Sequence, residues 1–478
     1  MTSDEIKNIE EFEELPFEPR MVPSGPDNLN GRRTVLISLS FFIVLFAWSY
    51  FNFKVPLILD DVLGTFILKD MVKGIIMAMD NIIAVILQPY FGDLSDRTKS
   101  KIGRRMPYII IGSTVAAIFF IIIPWIRILA GLILIIFLFD LAMSIFRSAS
   151  IAILPDYTPE KMYSKGSAIQ QFIANMGGLI AFTIPIFIGT LEGSLDPLLF
   201  DALGFIIVGI GMIILIFIQI FTVKETPTGD TFFKISPTKI EIDPITYKAR
   251  QMKLSKEDKA ISKNKLKSYR DAFRIVKQHK DFTFFLGTII FMYLAFASIE
   301  SFFSSFAVAY FQITESAAGT LFLAYSAPMI ASAYFVGLLG QKKSIGRKKA
   351  VKIFLFWLIL SIFIMAVFVV PTTYHSYSPL LVSIVLVLIA IPWMGFIVNS
   401  FPILWSLAPK GKVGIYTGIY YTFNQAAYSI APILFGSILS AFGAFGDFRY
   451  IIMFPFILIL IVIALIFFFK VKSGEIRD

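Results

Sequence analysis

The sequence predicts an all-α polytopic membrane protein: twelve transmembrane helices in two pseudo-symmetric six-helix bundles. Three observations predict it. The 478 residues contain twelve apolar runs of 18 or more residues, each long enough to cross a bilayer as a helix. Hydrophobic residues make up 57% of the chain and charged residues only 16%, with a mean hydropathy of +0.77; soluble domains carry about 25% charged residues. The longest polar stretch between runs, 223–281, divides the series six and six. The runs show no period-two alternation, which excludes an outer-membrane barrel. Disorder, a collagen-like fibre and a disulfide scaffold are excluded as well, the last because cysteine is absent.

Taken in order, residues 1–33 are acidic (Glu10, Glu11, Glu13, Glu14, Glu18) and precede an apolar run too long for a signal-peptide core, so they read as a cytoplasmic N-terminal tail. Spans at 34–59, 71–91, 107–125, 128–153, 164–190 and 200–222 form the first bundle, 34–222. The central segment 223–281 is Lys-rich, with Pro227, Gly229, Pro237 and Pro244. Near its end Leu266, Tyr269, Phe273 and Val276 recur at helical spacing, the pattern of an interfacial helix leading into the next span. Spans at 282–311, 316–339, 351–371, 379–407, 413–440 and 449–470 form the second bundle, 282–470, and 471–478 is a cytoplasmic tail.

Charge fixes the expected orientation. Of 43 Lys and Arg, 37 fall on the side of the N-terminus, four (Lys69, Lys73, Arg127, Arg449) on the other side, and Lys54 and Arg147 within spans. The positive-inside rule then puts both termini in the cytoplasm. The net charge of +10 is mostly topology and attraction to anionic lipid. Nucleic acid is not an expected partner, because no basic domain with interleaved aromatics exists.

The interior loops repeat weakly. Gly92-Asp-Leu-Ser-Asp96-Arg97 through Gly103-Arg104-Arg105 follows the second span, and Gly337-Leu-Leu-Gly through Gly346-Arg347-Lys348-Lys349 follows the eighth. Matching six-span repeats suit a transporter that rocks two bundles around a midplane site. Glycine permits tight turns, while Asp96 and Asp156 can pair with the arginines, so Gly92, Asp96, Arg97, Gly103, Arg104, Arg105 and Asp156 form a candidate cytoplasmic gate. A solvated basic loop that only sets topology is the plainer alternative.

The stretch Gln88-Pro89-Tyr-Phe-Gly92 through Arg105-Met-Pro107 resembles the signature loop of the major facilitator superfamily, in the lengthened form of the sucrose–proton symporters and the related glycoside–pentoside–hexuronide:cation symporters. Asp140, the run Arg147-Ser148 to Pro159, and Ser164-Lys-Gly-Ser-Ala168 look like the fourth and fifth spans of sucrose-symporter-like proteins. Gly414 to Gln425 is similar to the eleventh span of prokaryotic members. Melibiose-type sodium symporters carry an acid where Gln88 stands, so the resemblance favours proton coupling over sodium. Plant sucrose carriers place an arginine where Ile151 stands; Arg147 sits one turn earlier. The resemblance implies a major facilitator fold in the plasma membrane, a disaccharide or glycoside as substrate, and symport.

Ionisable residues inside the bilayer cost at least ~2.5–3.5 kcal/mol on insertion scales, so each needs a partner, a cavity or a function. Asp140 lies near the middle of its span, and Arg147, seven residues on, lies about 20° away around the helix. Loss of water favours a neutral acid and a nearby cation an ionised one. Asp140 is therefore the proton-carrier candidate, with Arg147 tuning it; a permanent ion pair that fixes packing is the alternative. Asp80, also mid-span, reads as a coupling acid (in place of Asp140 as the primary one, or beside it), as a substrate contact, or as a satisfied polar residue. Lys54 lies near the outer end of its span and reads as a snorkelling side chain. Glu300 reads as a sugar ligand or a gate residue.

Sugars are bound by aromatic faces and by amide or carboxyl hydrogen bonds. Trp48, Asn52, Gln171, Asn175, Trp393, Asn399, Tyr420, Asn424 and Gln425 are the candidates, with the amides carrying more weight, since an unpaired amide facing lipid is costly. Most of the 51 Phe and 18 Tyr simply pack. No enzyme, cofactor or metal site is expected: a P-loop is missing, and His279 and His375 are far apart without a ligand cluster. The sequence reading is a monomeric sugar:proton symporter. Sodium-coupled or uncoupled transport, drug efflux on the same fold, and a sensor signalling through 223–281 are the alternatives.

Overall fold

The structure, a computed structural model, describes residues 31–98, 100–158, 163–223, 276, 279–342, 344–374, 376–408 and 413–473. Most of the N-terminal tail, the interfacial helix of the central segment, residues 474–478 and the Arg97 side chain lie outside the described residues. Six long helices form the first half: α1 (Gly31–Leu63), α2 (Lys69–Arg97), α3 (Met106–Trp125, its last turn 3-10), α4 (Leu129–Tyr157), α5 (Tyr163–Gly189) and α6 (Pro197–Thr222). Six more form the second: α7 (Lys280–Phe311), α8 (Glu315–Gln341), α9 (Gly346–Thr373), α10 (Pro379–Leu407), α11 (Val413–Ala441) and α12 (Met453–Phe469).

Hydrocarbon offers backbone groups no partner, so each apolar run closes its hydrogen bonds internally as a helix. The helices outrun the apolar spans because polar residues continue the same ladder. The run expected at 71–91 belongs to a 29-residue helix ending at Arg97. The span expected from 449 begins as 3-10 turns, Gly443–Ile452, with Gly446 at a φ of 56°. α9 carries one π turn, Met365–Val369. The Asp196 carboxylate caps α6, accepting from the Leu198 and Leu199 N–H groups.

The two halves repeat one packing plan. Contacts α1–α5, α1–α6, α2–α4, α3–α4 and α3–α6 recur as α7–α11, α7–α12, α8–α10, α9–α10 and α9–α12. Each half has its own buried core, one drawn from Ile37 to Val223 and the other from Phe282 to Val471. Phe53 of the first bundle joins the second core, its ring edge-on to Phe322 at 5.3 Å, and Phe182 packs on the same ring at 4.8 Å. Ten of the helices are long and apolar enough to cross a membrane by length and composition. The remaining two, α2 and α11, are more polar, and they pack on each other across the bundle interface, where polar side chains find partners.

The bundles also meet through α5–α8 and α1–α7, while among the described residues α4 and α10 make no comparable contact. The closest crossings lie toward the end opposite the 98–105 turn, here termed the far end. A Cβ on Gly74 (α2) would sit 2.1 Å from the Pro432 carbonyl oxygen (α11), and one on Gly436 2.2 Å from the Asp70 carbonyl oxygen. On the other pair, a Cβ on Gly189 (α5) would sit 2.5 Å from Ser316 Cβ (α8).

Candidate functional site

Polar side chains from both bundles converge midway along the helices. Asn52 Nδ2 (α1) donates to Glu300 Oε1 (α7) at 2.8 Å, across the bundle interface. Asn81 Nδ2 donates to the neighbouring Asp80 carboxylate at 2.5 Å, and Gln425 Nε2 (α11) donates to Asn81 Oδ1 at 2.5 Å, a second crossing. Arg147 lies within electrostatic reach of Asp80, Glu300, Tyr421 and Tyr428. Its Nε is buried without a hydrogen-bond partner.

Asp140 is 1% exposed, and neither carboxyl oxygen accepts a hydrogen bond. The permanent Asp140–Arg147 pair weighed from the sequence does not form. Seven residues are two helical turns, about 10 Å along the axis, too long a reach for a direct bond. Asp140 instead lies near Asp80 of α2, and Arg147 lies within electrostatic reach of Asp80 and Glu300.

An aromatic wall stands beside these acids. Phe296 stacks on Trp393 at 4.6 Å, Tyr293 packs on Tyr428 at 5.6 Å, and the Tyr293 and Tyr420 hydroxyls lie 3.2 Å apart. Asn424 lies beside both hydroxyls. Trp48 packs edge-on to Phe51 and Phe139. The indole nitrogens of Trp48 and Trp393 are buried without hydrogen-bond partners. Three predicted residues stand apart from this group. Asn399 spends its amide hydrogens on the Val336 and Gly395 carbonyls at 3.1 and 2.8 Å, joining α10 to α8. Gln171 and Asn175 bond to each other at 3.3 Å on an exposed stretch of α5.

The loop motif forms one ionic cluster. Asp156, at the end of α4, accepts from Arg104 at 2.6 Å and from Arg105 at 3.0 Å. Arg105, 4% exposed, also donates to Asp96 and to Ser95 Oγ. These bonds join α2, the turn and α4, all within one bundle. Gly103 turns the chain at a φ of 99°, and Gly346 does so at 69° in the second half, so the repeat extends to the backbone. Gly92 serves differently: it is helical, and a Cβ there would crowd Ser148 Oγ at 3.3 Å.

At the far end lie ionic clusters that the sequence reading missed. Lys54 does not snorkel; it is 2% exposed, bonded to Asp201 (α6) at 2.7 Å and to Glu315 (α8). Lys73 (α2) bonds Asp60 at 2.6 Å and Ser305 Oγ (α7) at 3.0 Å, and Arg449 Nε bonds Asp70 at 2.8 Å. The available signal was charge against the topological bias. Of the four basic residues on that side, Lys73, Arg127 and Arg449 are ion-paired.

No curated protein matches the chain. Its fold is similar to that of a bacterial homologue of the human lysosomal transporter Spinster, in an inward-facing, unoccupied conformation (14% identity over 94% of this chain and 100% of that one, TM-score 0.65). It is also similar to the nucleoside transporter NupG (13% identity, 92% and 100% covered, TM-score 0.66) and to a peptide transporter of the POT family (14% identity, 95% and 98% covered, TM-score 0.64). These likenesses show the fold. The Major Facilitator Superfamily model matches residues 37–432 and 285–477, which take in both bundles, and the chain therefore belongs to that superfamily of membrane transporters.

Proposed function

We propose that this transporter is a symporter of a disaccharide or glycoside with a proton, working by alternating access in the cell membrane. The observation that carries the proposal is Asp140, a buried carboxyl with both oxygens unbonded. An acid without a fixed partner can take up and release a proton as water and substrate come and go. Asp80 and Arg147 set the charge around it. Asn52, Glu300, Gln425, Asn424 and Tyr420 supply hydrogen bonds for sugar hydroxyls, and Trp393 and Trp48 supply flat faces with free N–H groups. The bundles meet at the far end and at α1–α7, so the site opens toward the 98–105 turn, the side that the basic residues assign to the cytoplasm. The cluster of Asp96, Arg104, Arg105 and Asp156 is fully bonded within the first bundle, so on this reading it braces α2 to α4 and does not bridge the bundles.

Sodium coupling is the second reading. Asp80 and Asp140 act on each other from neighbouring helices, and their carboxylates offer oxygen ligands of the kind a hard cation takes. Proteoliposome uptake of a labelled saccharide panel, under imposed proton or sodium gradients, decides. A proton gradient alone should drive accumulation, and Asp140→Asn should abolish accumulation while sparing exchange. Normal accumulation by Asp140→Asn ends the coupling assignment. Dependence on sodium alone selects the second reading, and failure of every saccharide ends the sugar reading.

A further inference from the structure

We infer that the far end carries a two-part ionic gate in which the cations keep partners in their own bundle when the bundles separate. The inference rests on the alternating-access part of the proposal above and on neither the substrate nor the coupling ion.

In the first part, Lys54 is shared between two acids. Asp201, at 2.7 Å, belongs to the same bundle; Glu315 belongs to the other. Arg127 also pairs with Asp201, and Asp61 acts on both cations without an ion pair. In the second part, Asp70 binds Arg449 of the other bundle at 2.8 Å, and Lys73 reaches across to Ser305 Oγ and to the Tyr450 hydroxyl, 3.0 and 3.4 Å away. Each group again has partners at home. Lys73 has Asp60 at 2.6 Å and Asp70 at 3.5 Å, while Arg449 has the Gly446 carbonyl at 2.7 Å and Asp447 at 3.5 Å. Lys54 and Lys73 are almost wholly buried, so parting from a sole partner would strand a charge out of water. Home partners remove that penalty from opening, while the crossing bonds still favour closure.

The design makes two acids on one lysine act in opposite directions. Glu315 stabilises only the closed far end. Asp201 holds Lys54 in both states and matters most when Glu315 has left. Removing Glu315 should therefore open the far end, and removing Asp201 should hold it shut. Arg127 is 32% exposed and keeps its hydration either way.

The chain has no cysteine, so introduced pairs can carry spin labels without background. Ser194→Cys with Ser376→Cys reports on the far end, and Lys101→Cys with Ser344→Cys on the other; all four positions are exposed. In lipid nanodiscs, Glu315→Gln should lengthen the far-end distance and shorten the opposite one, shifting the open:closed ratio roughly ten- to hundredfold, the worth of one charge-assisted hydrogen bond. Asp70→Asn should do the same through the second cluster. Asp201→Asn, added to Asp70→Asn where the open population is large, should close the far end again. If Glu315→Gln and Asp201→Asn shift the ratio in the same direction, or neither shifts it, the gate is overturned. If the two label pairs move but never in opposite senses, alternating access itself fails.

Discussion

Gly74→Ala tests whether the α2–α11 crossing belongs to the closed far end. The added Cβ would fall 2.1 Å from the Pro432 carbonyl oxygen and 2.7 Å from its carbon. Nonbonded heavy atoms want roughly 3.5 Å, so the helices must part by about 1.4 Å at this point. Overpacking of this kind costs typically ~1–3 kcal/mol, and the cost falls only on the state in which the crossing is this close. The ratio of far-end-open to far-end-closed molecules should then rise ~5–150-fold. The gain in helix propensity from glycine to alanine, at most ~1 kcal/mol, applies to both states and cancels. The far-end label pair reads the shift. Gly418→Ala on the same α11 is the control, because nothing lies within 4 Å of a Cβ placed there. If Gly74→Ala lowers thermal stability yet leaves the distance distribution unchanged, the crossing persists in both states as a pivot, and the reasoning fails.

Three further substitutions probe other parts of the molecule. Asp156→Asn removes the acid between Arg104 and the buried Arg105, and should lower stability by ~3 kcal/mol, read as a thermal midpoint several degrees lower. Asp96→Asn should cost much less, because Asp96 is 54% exposed; equal losses would place the cluster's energy elsewhere. Tyr420→Phe removes the hydroxyl 3.2 Å from that of Tyr293 and should raise the KM for saccharide about fivefold with little change in maximal rate, as the loss of one hydrogen bond near 1 kcal/mol would. An unchanged KM takes Tyr420 out of the substrate site.

Helix number and the six-plus-six division were legible because hydrocarbon thickness imposes a length on every apolar run. Helix ends were not, since hydropathy marks the lipid boundary while the backbone ladder runs on, as it does from Gln88 to Arg97 in α2. Gly103 was legible as a turn glycine, whereas Gly92, in the same motif, turned out to permit a helix crossing. Single ionisable residues such as Asp80, Asp140 and Glu300 were visible by their cost in lipid. Their partners were not: Asn52 and Glu300 are 248 residues apart, Asp70 and Arg449 379 apart, and no local spacing encodes such pairs. Lys54 was misread for the same reason, because its two acids lie on helices far along the chain. Asn399 shows the converse limit. A buried amide must be satisfied, but the sequence does not say whether a ligand or a neighbouring helix satisfies it.

Symport requires that occupation of the proton site change the relation between the bundles, and two hydrogen-bonded crossings offer a route. Asp80 accepts from Asn81, whose side-chain oxygen accepts from Gln425 of the other bundle. An ionised Asp80 orients the Asn81 amide with its nitrogen inward and its oxygen toward Gln425. Protonating Asp80 weakens that preference and with it the crossing. Asp140 lies near Asp80, on the neighbouring helix. On the proposed symport, a proton arriving at Asp140 would leave the Asp80 charge and the α2–α11 link it orients in place, and its departure would do the reverse. Glu300 forms the other crossing through Asn52, with Arg147 in reach of both acids. A saccharide hydroxyl competing for Glu300 would loosen α1 from α7 while Arg147 remained with Asp80. On the symport reading, proton and sugar thus act on different crossings of one interface, and coupling needs no contact between them.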